Sequence, residues 1–210
     1  MRYAGLSHFG RIATRLATWF SPPYYGRCYL ARLNPKGYIA PSAIVHHNSV
    51  RFGRNIFIGD RVVIYQAKDG GSVEFGKRTR IYGEAFIQTG TGGSVKIGNT
   101  SHIHPRCQLS AYKASIYIGN GVQIAPNCAF YPYNHGIAPG KLIQVQPLHS
   151  KGDIVVDDDA WLGFGVIVLD GVRIGKGAVI GAGSVVTQDI PDNAIACGNP
   201  ARIVKMRGSS

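Results

Sequence analysis

Histidine is the residue type in this sequence best suited to acid–base chemistry near neutral pH, and His135 and His149 fall within one short segment. An imidazole with an ordinary pKa of about 6.5 is largely neutral at pH 7, so it can accept a proton from a reacting group. His135 stands in Tyr131-Pro132-Tyr133-Asn134-His135-Gly136-Ile137, and His149 follows Gln146-Pro147-Leu148. On these residues alone His135 is either a general base or a turn histidine, with Asn134 and Gly136 making the bend. His149, beside Pro147 and Lys151, competes for the base role from an exposed position. His104 lies at a turn in Ile103-His104-Pro105, and His46, His47 and His102 read as surface turn residues. The cysteines Cys28, Cys107, Cys128 and Cys197 show no C-x-x-C spacing, which argues against zinc, and no metal is expected. They read as reduced thiols serving as small core residues.

The elements that must position these groups are set by a repeat. Aliphatic residues recur every six positions at Val156, Leu162, Val168, Ile174, Ile180 and Val186. Small or β-branched residues follow four places later at Ala160, Val166, Val172, Ala178 and Ser184. A period of six is neither the 3.6 of a helix nor a plain alternation. It suits a short strand and a tight turn on each side of a prism, with a glycine beside the aliphatic residue permitting the turn's backbone angles. Val73-Glu74-Phe75-Gly76, Val95-Lys96-Ile97-Gly98 and Ile116-Tyr117-Ile118-Gly119 are earlier copies of one strand start. The expected architecture is all-β, a parallel β-helix of stacked three-strand coils. Its register predicts an internal column of Ala85, Cys107, Cys128 and Val166. The expected organisation is a segment 1–33, a β-helix over 34–190 interrupted by a loop at 131–152, and a basic tail at 191–210. A loop of that length in so regular a fold points to function.

Segment 1–33 contains no acidic residue, and Leu6, Phe9, Ile12, Ala13, Leu16, Trp19 and Phe20 fall at near-helical spacing. It predicts one amphipathic helix ended by Ser21-Pro22-Pro23, packed as a cap on the coil stack. The alternative is a basic helix lying on a membrane surface, through residues 1–20. Arg11 and Arg15 interrupt any secretory signal, so a cytoplasmic location is expected, with the inner membrane face as a variant of it. The formal net charge is +12, yet the basic residues are scattered without interleaved stacking aromatics, which argues against nucleic acid. The same charge suits an anionic small ligand.

The run Asp158-Asp159-Ala160-Trp161-Leu162-Gly163, then Gly171-Val172-Arg173-Ile174-Gly175-Lys176-Gly177-Ala178-Val179-Ile180-Gly181-Ala182-Gly183-Ser184-Val185-Val186-Thr187, then Gly198-Asn199-Pro200-Ala201 resembles the signature of hexapeptide-repeat acyltransferases. Within that superfamily the chain resembles the sugar O-acetyltransferases, including galactoside, maltose and polysaccharide-modifying enzymes. The resemblance is specific over 152–205, looser over 37–130 and absent from the N-terminal segment. It implies a left-handed β-helix, a triangular prism usually assembled as a homotrimer with sites between neighbouring prisms. It implies acetyl-CoA as acyl donor and a saccharide or nucleotide-sugar acceptor, O-acetylation first and N-acylation of an amino-sugar nucleotide second. A catalytically inactive scaffold is the alternative of another class.

The same resemblance sets His135 on the catalytic histidine, with Tyr133 and Asn134 beside it as substrate-binding candidates. It sets His104 where a substrate-contacting residue, usually asparagine, stands in galactoside-type enzymes. For the coenzyme it implies Trp161, Gly163, Ala182, Thr187, Arg202 and Lys205, through backbone groups of the late coils and cations for the phosphates. Gln188 stands where many relatives have lysine, and Phe164 replaces a commonly small or polar residue.

Overall fold

The computed structural model describes residues 7–22 and 25–208, so the expectations for Leu6, Pro23, Ser209 and Ser210 lie outside the described residues. The chain is a left-handed parallel β-helix, an exception to the usual right-handed crossover between parallel strands. Each coil adds one short strand to each of three faces, which among the described residues hold nine, seven and six strands. Ile81, Ile103, Ile124, Leu162 and Ile180 follow one another up the nine-stranded face. Ile87, Leu109, Phe130, Val168 and Val186 do so up the seven-stranded face.

The six-residue period located the interior. Val156, Leu162, Val168, Ile174, Ile180 and Val186 are each at most 1% exposed. These side chains point inward from all three faces, and full burial of each contributes about 1.5–3 kcal/mol. The column Ala85, Cys107, Cys128 and Val166 is fully buried, and the amides of Phe86, Gln108 and Ala129 donate in turn to the carbonyls of Cys107, Cys128 and Val166. All four cysteines are free thiols. The Cys107 and Cys128 sulfurs reach the carbonyls of Ala125 and Gly163 at 3.1 and 3.2 Å. The neighbouring Cys128 and burial push the Cys107 thiol up, which keeps it an inert core residue.

The glycines beside the aliphatic residues have a different task from the one expected of them. The positive φ of the turns falls two residues later, at Gly165, Gly177 and Gly183, and at Asn55, Arg78, Thr100 and Gly121 in earlier coils. Gly163 itself is needed for close stacking, since a Cβ there would stand 2.7 Å from the backbone nitrogen of Ala182 in the next coil. One corner is also laced by side chains. The amides of Lys77, Asn99 and Asn120 donate to Oδ1 of Asn99, Asn120 and Asp158, at 2.8, 2.8 and 2.6 Å.

The N-terminal segment holds two helices, α1 (His8–Ala17) and α2 (Tyr25–Leu33), where one was expected. Helix α2 supplies the packing against the first coils. Its Cys28 and Ala31 are buried with Tyr38, Ala40 and Phe57, and Asn55 Nδ2 donates to the carbonyls of Ala31, Arg32 and Asn34. Helix α1 reverses the expected orientation. It buries Gly10 and Thr14, while Phe9, Ile12, Leu16, Trp19 and Phe20 are 57–96% exposed. The expected cap through the apolar face is therefore corrected.

The C-terminal end differs too. Pro191-Asp192-Asn193 makes a turn rather than ending the coils. Ala194–Gly198 pairs in parallel with Val179–Ile180, and Ala201–Met206 returns antiparallel to close the nine-stranded face. Within the segment read as a basic tail, Ala201–Met206 is thus an edge strand, anchored by Arg207 donating to the carbonyl of Gly177 at 2.7 Å.

Candidate active site

The seven-stranded face gives rise to the loop. After Ala129–Tyr131 the chain leaves the prism and returns at Ile154–Val156. The return is pinned by backbone amides, with Lys151 N–H on the buried Asp170 carboxylate at 2.8 Å and Ser115 N–H on Asp153 at 2.7 Å. At the loop's root, Tyr133 packs edge-on against Tyr112 and Tyr131, at 5.6 and 5.9 Å between ring centres, and Tyr131 donates to Gln108 Oε1 at 2.6 Å. An aromatic root of this kind fixes the direction in which the loop projects.

Beyond the root, Asn134–His135 and Leu148–His149 form a two-stranded antiparallel ribbon that the repeat pattern gave no sign of. Asn134 faces His149 and His135 faces Leu148 across it. Successive side chains on a strand point to opposite sides, so His135 lies on one face of the ribbon while Asn134 and His149 share the other. This separates the two histidines that compete for one role. It also sets Asn134 apart from His135, while Tyr133 precedes the ribbon and packs into its root. The ribbon is closed by Gln146, whose side chain accepts from Ala138 N–H at 2.8 Å and donates to the carbonyls of Ala138 and Lys141. His135 and His149 are both exposed.

The remaining candidates gather chiefly on the nine-stranded face. Register sets Trp161, Val179, Ile195 and Lys205 in one row, and Gly163, Gly181, Cys197 and Arg202 in the next. His104 lies in the Gly163 row, two strands before it, roughly 10 Å away at the usual strand spacing. Trp161 is 54% exposed, and Arg202 and Lys205 are exposed on the edge strand. Both backbone groups of Gly163 are occupied, its N–H on the carbonyl of Ile180 and its C=O by the Cys128 thiol, so Gly163 offers surface shape rather than free amides. Ala182 is exposed at the turn between the nine- and seven-stranded faces. Thr187 lies past Val185–Val186, on the far side of the seven-stranded face, and does not join the two rows.

His104 stacks on Tyr82 with ring centres 4.8 Å apart, and burial holds its pKa below the ordinary value. His102, read from sequence as a surface residue, is a half-buried strand residue instead. Burial first, then the charges of Arg80 and His104, lower its pKa to about 4, so it is neutral at pH 7. His47 is likewise no loose turn residue. Its Nδ1 accepts from Ser49 N–H at 3.0 Å and its Nε2 stands 2.9 Å from Thr89 Oγ1. Tyr82 is the residue sequence reasoning missed here, since outward-facing strand positions carry no signal in the six-residue period.

Two concave surfaces of the single chain lie away from these rows, and a third, lined by Gly59, Gly83, Pro105 and Pro126, borders the row of His104. One runs beside Arg51, Lys96 and Tyr117 on the six-stranded face, and another beside α2, between Arg32, Lys77, Arg80 and His102. No group of three metal-ligating side chains forms among the described residues.

Residues 153–188 match the bacterial transferase hexapeptide family (six repeats). The galactoside O-acetyltransferase of Lactococcus lactis subsp. lactis is 60% identical over 50 residues, which is 24% of each chain. A 2,3,4,5-tetrahydropyridine-2,6-dicarboxylate N-acetyltransferase of Staphylococcus aureus is 43% identical over 56 residues, 27% of this chain and 23% of that one. The chain thus spans about a quarter of the length of these curated relatives. Among solved structures, a variant of AntD, an N-acyltransferase from Bacillus cereus in complex with dTDP-4-amino-4,6-dideoxyglucose and coenzyme A, superposes with a TM-score of 0.58 at 22% identity, covering 81% of this chain and 80% of that one. The polySia specific acetyltransferase NeuO gives a TM-score of 0.50 at 23% identity, covering 80% and 86%. At these identities the structural likeness is one of fold.

Proposed function

We propose that this member of the hexapeptide-repeat acyltransferase superfamily transfers an acetyl group from acetyl-CoA to a sugar hydroxyl, with His135 as general base. The observation that carries this reading is the pair of rows on the late coils, Trp161 to Lys205 and Gly163 to Arg202. They form a narrow surface of small and aliphatic residues with an exposed indole at one end and two cations at the other. Such a surface suits a pantetheine arm with phosphates at its tail. The chemistry needs little else. The hydroxyl oxygen attacks the thioester carbon, the base takes its proton, and the tetrahedral intermediate expels the coenzyme thiolate, which is protonated on release.

The working unit in this reading is a homotrimer. The ribbon bearing His135 springs from the far side of the seven-stranded face, away from the rows of Trp161 and Gly163. A neighbouring prism would bring a ribbon against these rows and cover exposed apolar groups on both, Ile137, Leu142 and Val145 on the loop with Trp161 and Phe164 on the face. Tyr133 and His104 are the substrate contacts of the proposed site, and Asn134 reaches it only if the ribbon twists. The second reading, N-acylation of an amino-sugar nucleotide, is favoured by AntD, whose structure pairs a similar fold with such a ligand and coenzyme A.

The coenzyme assignment has its own test. Arg202→Ala raises the Kd for acetyl-CoA by about 10- to 150-fold, the loss of a charge-assisted hydrogen bond worth about 1.5–3 kcal/mol. Calorimetric titration measures it directly. An unchanged Kd removes Arg202 from the coenzyme site.

A further inference from the structure

We propose that α1 is an in-plane membrane anchor, docking the N-terminal end of the prism onto an anionic lipid surface. At 100° per residue, three stripes divide the segment around its axis. Gly10, Thr14 and Thr18 make one stripe and are buried against the chain. Phe9, Ile12 and Leu16 make a second, and with Trp19 and Phe20 of the turn that follows α1 they are exposed by 67, 57, 65, 73 and 96%. His8, Arg11 and Arg15 fall between them, along one border of the apolar stripe.

This orientation is fixed by the helix itself. Thr14 and Thr18 hydroxyls donate to the carbonyls of Gly10 and Thr14 at 2.8 Å each, so the polar atoms of the buried stripe are satisfied within α1. Gly10 lets the helix approach closely, and the Ser7 hydroxyl caps its N-terminus by accepting from Gly10 N–H at 3.1 Å. The segment therefore turns its small residues inward and leaves Ile12, Leu16, Trp19 and Phe20 at the surface.

Charge identifies the occupant. Residues 1–33 contain no Asp or Glu, and the chain carries a formal net charge of +12. Cations bordering an apolar stripe are what an anionic bilayer selects, and an indole at the stripe's edge suits the headgroup layer. No helix among the described residues is long and apolar enough to cross a membrane, so the contact lies in the plane of the interface. The anchor is independent of the acyl-transfer reading, since α1 shares no residue with the proposed site.

The test is flotation of the full chain with vesicles of phosphatidylcholine alone and of phosphatidylcholine with phosphatidylglycerol. The protein should float with the anionic vesicles, and Trp19 emission should shift to the blue in a Trp161→Phe background. The exposed pair Leu16→Glu and Trp19→Glu should lower partitioning at least about tenfold without changing the unfolding temperature. Arg15→Glu should lower it about fivefold or more. Equal binding to both vesicle types, or to neither, overturns the proposal. So does concentration-dependent self-association that Leu16→Glu abolishes, because the occupant is then a second copy.

Discussion

His135→Ala should lower kcat for acetyl transfer by about 10² to 10⁴, the usual contribution of a positioned general base. The Kd for acetyl-CoA should stay within about twofold, because the proposed coenzyme contacts lie on the late coils and not on the ribbon. His149→Ala should keep near-full turnover, since His149 shares its ribbon face with Asn134 rather than with His135. Steady-state kinetics on the three proteins separate the outcomes. If His149→Ala is the inactive one, the ribbon presents its other face to the substrate. If neither matters, the acceptor arrives already deprotonated, as a free amine would, and the N-acylation reading prevails.

Phe130→Ala should be the most damaging single truncation for stability. Phe130 is 0% exposed and fills the prism between Leu109 and Val168 in the coil from which the loop departs. Truncating a buried Phe to Ala costs about 3–5 kcal/mol, because the surrounding coils cannot collapse into the space. For a chain of this size that corresponds to a fall in Tm of roughly 6–20 °C. Leu33→Ala is the control, since that side chain is 66% exposed and its loss should stay within about 0.5 kcal/mol. Calorimetry that showed equal shifts for the two would contradict the interior register.

The interior was legible because it repeats. A side chain needed at the same place in every coil leaves a six-residue trace, so Val156 to Val186 and the Cys107–Cys128 column could be counted from sequence. The role of the adjacent glycines was legible only as a need for glycine. That Gly163 serves coil stacking while Gly165 carries the positive φ depends on the approach of the next coil, which lies many residues away. The ribbon of Asn134–His135 with Leu148–His149 left no trace, since two residues per strand are too few for any period to register. Helix α1 shows a different limit. An amphipathic pattern tells that two faces differ, not which one the protein buries, and here Gly10 and Thr14 are buried in place of Phe9 and Leu16. The edge strand Ala201–Met206 was hidden by its own cations, which look like a solvated tail until the antiparallel pairing with Ala194–Gly198 is seen.

In the proposed reaction acetyl leaves the coenzyme and ends on a sugar oxygen, and a single assay reads both events. The protein is incubated with acetyl-CoA and a panel of neutral, acidic and amino sugars, free and nucleotide-linked, while free thiol release is followed. Any acetylated product is then treated with mild alkali. The account predicts acceptor-dependent thiol release and a product whose acetyl group is lost in alkali, as an ester is. An alkali-stable amide, or no thiol release with any acceptor while acetyl-CoA still binds, would contradict it.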